Sequence, residues 1–284
     1  MNLIIAHLYP KLMNIYSDIG NIICLKKRCQ WREIKVKVVP IEVGDKFNWQ
    51  KYDLVFGGGG QDRQQEIVSQ DLQKKKKELN QAVEQGIPVL TTCGTYQLFG
   101  HYFKTYEGKL IKGISVFDAY TIASHQRKIG NILIELNNSA ISHQPSAISQ
   151  FLVGFENHSG NTFITNSVKT TSDNQNTSEV KSSNTSEVTI NNQQSTIPLG
   201  TVIKGFGNNG QDKTEGAIYK NCLGTYLHGP ILPKNPHLAD WLILKALQRK
   251  YNKKAILKPL NDTLEWQTHK AAIKLTHQTK KSFF

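Results

Sequence analysis

The stretch IPVLTTCGTYQLFG, residues 87–100, changes character at its one cysteine, Cys93. Before it runs a short apolar segment of the kind that forms a buried strand; after it a helical pattern begins. A cysteine on the turn from strand to helix is held above the sheet. It also sits at a helix N-terminus, where unpaired N–H groups and the dipole favour a thiolate. Gly94 follows directly, lets a substrate come close to the backbone, and offers its N–H to an oxyanion. This is the physics of a nucleophile elbow. Taken alone, the strand–Cys–Gly–helix order fits a buried helix cysteine equally well.

Working outward, NLIIAHLYP (2–10) predicts a strand, IGNIICLKKRCQWR (19–32) a helix and IKVKVVPIEV (34–43) a strand. YDLVFGGGG (52–60) is a short apolar run ending in glycines, and QEIVSQDLQKKKKELNQAVEQG (65–86) has helical spacing and a glycine stop. Strands alternating with helices predict an α/β fold with a parallel sheet covered on both faces. Beyond about residue 110 the segments become short and glycine-punctuated: KLIKGISVFDAYTI, KIGNILIEL, FLVGFENHSGNTF, PLGTVIKGFGNN, EGAIYKN and CLGTYLHG. These read as further strands and hairpins. NPHLADWLILKALQRKYN (235–252) closes the domain with a helix opened by Pro236.

With 284 residues the chain has length for one large domain or two modest ones. No apolar run reaches the ~18 residues of a membrane span. The apolar start lacks a basic leader and a cleavage site, and reads as a core strand. Cys24, Cys29, Cys93 and Cys222 fit neither a disulfide framework nor a C-x-x-C zinc pattern, so reduced cytoplasmic thiols are expected. The net charge of +13 is spread over separated clusters without interleaved aromatics. It predicts solvated helix faces, with an acidic partner or membrane proximity in addition, and argues against a nucleic-acid platform. Residues 166–196 are Ser/Thr/Asn-rich, repeat NTSEV twice, and predict a flexible insertion between two strands. The basic tail 251–284 has helical spacing, and two roles stay open for it: docking on a partner or staying loose.

A thiol nucleophile needs a base. His228 ends the apolar run CLGTYLHGP, so it too stands at a strand end, where it could meet Cys93 above one sheet edge. His158 lies in a loop-like stretch with Glu156 and Asn157. In VFGGGGQDRQQ (55–65) the glycines let a backbone turn sharply and approach a ligand. There is no Walker ending and no G-x-G-x-x-G fingerprint, so N–H donation to an oxyanion is the reading, with Gly59 and Gly60 as donors beside Gly94.

Together FGGGGQDRQQ, TTCGTYQLFG, FENHSGNTF and GFGNNGQDKTEGAIYKNCLGTYLHGPILPKNPHLAD, with the opening YPKLMNIYSDIGNIICLKKR, resemble class I glutamine amidotransferases of the cobyric-acid-synthase-like type. Within that family the likeness is strongest to glutaminase subunits that serve lipid II amidation. It spans about residues 1–250, the insertion excepted. It implies a flavodoxin-like, doubly wound, mostly parallel sheet, with Cys93 as nucleophile and His228 as base. It also implies that Arg127, in HQRKIGN, holds the α-carboxylate of glutamine; Gln97, on the first turn after the cysteine, either faces the pocket or lies on the helix surface. The implied partner is a MurT-like Mur ligase subunit in a heterodimer. ATP is expected on that partner, and this chain is expected to need no cofactor or metal of its own.

Two departures from the family pattern stand out. Pro230 occupies the position where many class I members carry a Glu that orients the imidazole. This implies a Cys–His dyad, unless an acid from elsewhere such as Glu156 serves. Thr95 replaces the second glycine of a Cys-Gly-Gly elbow and is expected near the pocket mouth. Three alternatives remain: service to another amidation, a catalytically weak partner-binding subunit, and a lone cysteine hydrolase.

Overall fold

The computed structural model describes residues 1–137, 150–165, 195–251 and 254–277. In its first half the alternating pattern becomes β1 (Asn2–Leu8), α1 (Ile19–Gln30), β2 (Lys35–Ile41), β3 (Leu54–Gly57), α2 (Asp62–Glu84), β4 (Val89–Thr92) and α3 (Gly94–Phe99). There follow β5 (Tyr102–Lys104), β6 (Leu110–Lys112), β7 (Ala119–Leu136), β8 (Phe151–Ile164), β9 (Gly200–Lys204), β10 (Thr214–Glu215), β11 (Ala217–Tyr219) and β12 (Cys222–Thr225). Helices α4 (Ile231–Lys234), α5 (Pro236–Lys250) and α6 (Thr263–His277) complete it.

One sheet has the order β2-β1-β3-β4-β12-β11, parallel throughout except for β11. Its first five strands follow the doubly wound, flavodoxin-like order, with β12 in the fifth place. The central strands β3, β4 and β12 are buried at every residue, as a parallel sheet covered on both faces demands. Successive side chains feed opposite cores. Leu3 and Ile5 of β1 pack with Ile22 and Leu25 of α1 and Leu238 and Leu242 of α5. Ala6 and Leu8 pack with Val68 and Leu72 of α2 and Leu98 of α3. The exposed edge strand β2 carries Lys35, Lys37 and Pro40 outward, which discourages pairing with another chain.

The second sheet runs β10-β9-β7-β5-β6, with β8 on β7. It is antiparallel apart from the β5–β7 pair. KLIKGISVFDAYTI and KIGNILIEL were expected to be separate short strands. Their ends join in one strand of 18 residues, β7, which crosses the polar link ASHQR with a register shift between Ala123 and Lys128. A bulge absorbs the extra residues that break the alternation, so a single strand survives where the pattern predicts two.

Most of the expected insertion, residues 166–194, lies outside the described residues. Its last residue does not belong to a loose segment: Thr196 is buried, and its Oγ1 accepts the Asp118 N–H at 2.9 Å. Of the basic tail, residues 263–277 form α6, which lies on the same body. His269 Nδ1 donates to the Lys234 carbonyl at 2.7 Å, and the Trp266 ring stacks on His237. Asp262, just ahead of α6, and Asp240 of α5 are both held by the buried Arg28 guanidinium of α1, in paired hydrogen bonds of 2.6–2.7 Å.

Candidate active site

Cys93 occupies the single residue between β4 and α3, with φ 47° and ψ −107°. This conformation costs a non-glycine residue roughly 1–3 kcal/mol and persists only where its surroundings impose it. They do so through the backbone. Cys93 N–H donates to the Thr225 carbonyl at 2.9 Å, and its own carbonyl accepts from Gln97 N–H at 3.0 Å. Thr92 of β4 and Thr225 of β12 are paired neighbours, so Cys93 stands one residue beyond the end of its strand and His228 three residues beyond the end of the adjacent one. The second sheet fixes His228: its N–H donates to the Phe155 carbonyl at 2.7 Å, and its carbonyl accepts from Phe155 N–H at 3.3 Å. Cys93 is 8% exposed and His228 0%.

The acid beside His228 is Asp18, which sequence reasoning missed. Its Oδ1 lies 3.5 Å from His228 Nδ1, and both side chains are fully buried. Asp18 precedes α1, where an aspartate usually caps its own helix. Here that task falls to Asn14, whose Oδ1 accepts the Ile19 N–H at 2.8 Å. The released Asp18 carboxylate turns inward, and its Oδ2 accepts from Gly59 N–H at 2.6 Å and from Thr92 Oγ1 at 3.1 Å. Nothing in YSDIGN distinguishes such an acid from a cap. Glu156, the acid expected from the sequence, is engaged elsewhere: it accepts the N–H groups of Phe206 and Gly207 at 2.7 and 2.9 Å. The adjacent Phe155 pairs with His228 through its backbone, and alternation along β8 turns Glu156 away.

Burial alone would lower the pKa of His228. The Cys93 sulfur and then the Asp18 carboxylate overcome it and raise the value to about 10. Among the described residues neither ring nitrogen of His228, nor Asp18 Oδ1, has a partner at hydrogen-bond geometry. Loose contacts of this kind are common in catalytic sites before substrate binds. His158, by contrast, stacks face to face on Tyr226 at 3.7 Å with Nδ1 donating to the Gly160 carbonyl, and burial lowers its pKa.

The glycine run has a reason other than the sharp turn expected from the sequence. None of Gly57 to Gly60 has a positive φ. What they lack is room. A Cβ on Gly59 would lie 2.6 Å from Ile15 Cγ2 and 3.1 Å from both Cys93 Cβ and His228 Cε1. A Cβ on Gly57 would meet Thr95 Cγ2 at 2.5 Å. Thr95 therefore does not narrow the mouth. It is fully buried, and its Oγ1 donates to the Gly58 carbonyl at 2.6 Å, clamping the glycine loop to α3. Gly59 N–H is taken by Asp18 and is not available to a ligand. Gly60 N–H has no acceptor among the described residues and lies 2.9 Å from where a Cβ on Gly94 would be. That places it beside the first N–H groups of α3, which no helical carbonyl can reach.

Gln97 is buried on the inner face of α3 and not on its surface. Its Nε2 donates to Tyr226 Oη at 3.1 Å, while its Oε1 has no partner among the described residues. Arg127, beside the bulge of β7, donates from Nε to Asn157 Oδ1 at 2.6 Å and from Nη2 to Tyr16 Oη at 3.1 Å. The Tyr16 ring meets His228 edge-on at 5.1 Å, so the guanidinium is one side chain removed from the catalytic histidine candidate. The NNGQDKTEG block supports the site from below. Asn208 Oδ1 accepts from Tyr96 Oη at 3.1 Å and from Gly216 N–H at 3.0 Å. Glu215 accepts from Thr225 Oγ1 and Tyr226 N–H, fixing the strand end that leads to His228.

A flavodoxin-like sheet with a strained cysteine at one strand end and a buried histidine at the next is the arrangement that the resemblance to class I glutamine amidotransferases implies. Residues 4–195 match the CobB/CobQ-like glutamine amidotransferase domain, and the chain belongs to that family. Two curated relatives carry the same name, lipid II isoglutaminyl synthase (glutamine-hydrolyzing) subunit GatD. The one from Staphylococcus aureus (strain N315) is 39% identical over 248 residues, covering 87% of this chain and 86% of the relative. The one from Streptococcus pneumoniae (strain ATCC BAA-255 / R6) is 36% identical over 261 residues, covering 92% and 86%.

Proposed function

We propose that this chain is the glutaminase subunit of a lipid II-amidating ligase. It hydrolyses glutamine at Cys93 and hands ammonia to an ATP-dependent, MurT-like Mur ligase partner in a heterodimer. The partner then converts the D-glutamate α-carboxyl of the lipid II stem peptide to D-isoglutamine. The observation that carries the reading is the meeting of Cys93, His228 and Asp18 at two adjacent strand ends, one of them strained. The names of the two relatives support the acceptor. Among the described residues no helix is long and apolar enough to cross a membrane; work beside the bilayer on the cytoplasmic side is part of the proposal.

In this mechanism the Cys93 thiolate attacks the side-chain carboxamide carbon of glutamine, and the carbonyl oxygen becomes an oxyanion. The N–H groups of Gly60 and Gly94 receive it. Gly59 acts indirectly, holding Asp18 in place. His228, kept protonated by the sulfur and Asp18, gives its proton to the departing nitrogen, and ammonia leaves. Water loses a proton to His228 and attacks the thioester, releasing glutamate and restoring the thiolate. Arg127 pairs with the α-carboxylate of glutamine, and the open Gln97 Oε1 accepts from its α-ammonium group. ATP belongs to the partner in this scheme.

The test uses the copurified complex. Cys93→Ala abolishes glutamine-dependent amidation, while high ammonium concentrations restore product. Normal glutaminase activity in Cys93→Ala would remove the assignment. Full glutaminase activity with no copurifying ligase would favour a lone hydrolase.

A further inference from the structure

Residues 14–18 pack against the glycine loop and His228, beside Cys93. Ile15 presses on Gly59, and its N–H donates to the Gly59 carbonyl at 3.1 Å. Tyr16 lies edge-on against His228, and Asp18 sits behind the same ring. His228 beneath them has no exposure, and Cys93 has 8%. The segment is held in an unfavourable shape: Tyr16 and Ser17 are consecutive non-glycine residues with φ of 55° and 63°. Backbone of this kind is kept by its contacts, and the Tyr16 side chain makes two of note. One is the His228 ring, and the other is the hydroxyl that accepts from Arg127 Nη2.

We propose that Tyr16 is a specificity-determining gate, closed by its bond to Arg127 and opened when the α-carboxylate of an incoming glutamine takes that guanidinium. The inference rests on the reading of Arg127 as the carboxylate site, and adds what the exchange does. A carboxylate is the stronger acceptor for a guanidinium and displaces a neutral phenol. With its hydroxyl released, the Tyr16 side chain keeps only its ring contact, and the strained Tyr16–Ser17 backbone, held at its ends by Ile15 and Asp18, swings away from His228. An amide without the carboxylate cannot make the exchange. The gate therefore keeps the thiolate from other electrophiles and reserves it for an amino-acid amide. Asp18 lies at the base of the same segment, so opening also adjusts its distance to the His228 ring.

The experiment reads access and not turnover. It measures the rate at which iodoacetamide, a neutral amide, alkylates Cys93 in the full chain without glutamine, with the modified site located by peptide mass spectrometry. Partly exposed Cys24 serves as the internal reference. Tyr16→Phe keeps the ring on His228 but breaks the bond to Arg127, and should raise the Cys93 rate about tenfold, the scale of one lost charge-assisted hydrogen bond. Tyr16→Ala should raise it further. Arg127→Ala cuts the same bond from the other side and should match Tyr16→Phe, and the double variant should add nothing. The Cys24 rate should not change. Equal Cys93 rates in wild type, Tyr16→Phe and Arg127→Ala would overturn the proposal, as would additive effects in the double variant. If Tyr16→Ala unfolds, buried Cys29 and Cys222 also react, and the Phe and Arg127 variants decide. A chain that shows this alkylation pattern but hydrolyses no glutamine would refute the glutaminase reading and leave the gate standing.

Discussion

His228 Nδ1 stands 3.5 Å from Asp18 Oδ1, and neither side chain touches solvent. A buried carboxylate on the far side of an imidazole stabilises the imidazolium and sets its orientation. The Pro230 position therefore does not leave the histidine without an acid. Asp18→Asn preserves shape and the acceptor for Gly59 N–H but removes the charge. Glutaminase turnover should fall by about 10²–10⁴, the range of acid–base contributions. The pH profile should shift toward acid, because His228 loses one of the two groups that raise its pKa to about 10. Ammonia-dependent amidation by the complex should be unchanged. An unaltered pH profile would mean that Asp18 only braces the glycine loop.

Arg127→Ala separates binding from fold. A charge-assisted contact to the glutamine carboxylate contributes roughly 2–3 kcal/mol, so glutamine use should weaken on the order of a hundredfold, chiefly in KM. Ammonia has no carboxylate, and its use should be untouched. Steady-state kinetics with both nitrogen donors decide the matter. Equal losses with the two donors would place Arg127 in the fold or at the partner interface.

Thr95 is predicted to act on stability. Thr95→Gly, which restores the family's Cys-Gly-Gly, removes the hydroxyl bond to the Gly58 carbonyl and the methyl packed on Gly57. It should cost about 2 kcal/mol in denaturant unfolding. Thr95→Ser keeps the bond and should cost about 1 kcal/mol, the value of one buried methyl group. A more stable Thr95→Gly protein would show that the clamp is dispensable.

His237 predicts how the fold responds to acid. Burial, with a smaller effect of His269, lowers its pKa to about 3, against an ordinary value of 6.5. Between those values the unfolded chain binds the proton and the folded one does not. The contribution to stability is complete above pH 6.5 and is lost progressively as pH falls toward 3. His237→Phe keeps a ring on Trp266 and adds no unpartnered nitrogen. The drop in Tm from pH 7 to pH 4 should be smaller in this variant than in wild type. It should not vanish, because buried His7, lowered to about 4, titrates in the same sense. An identical drop in both proteins would mean that His237 is not buried neutral.

The sequence by itself determined the alternation of strands and helices through α3, and with it the doubly wound sheet; the helical pattern read on through HYF gives way after Phe99 to strand β5. Period-2 and period-3.6 patterns are local, and β3, β4 and β12 advertise their burial in composition alone. It also singled out Cys93 and His228 as candidates, because a strand end is legible as the place where an apolar run stops, and the structure places both beyond the ends of adjacent strands. Tertiary structure decided what depends on residues distant along the chain. A bulge carried β7 through a link that reads as a break. Asp18, locally a helix cap, became the acid beside His228 because Asn14 capped the helix instead and the glycine loop folded against it. Thr95 turned from the mouth to the Gly58 carbonyl because the glycine loop offered an acceptor that no local pattern encodes. Glu156 was the nearer acid in sequence, yet strand alternation pointed it away. A side chain's partner is set by which face of which element it occupies, and that is fixed only when the two sheets meet at His228.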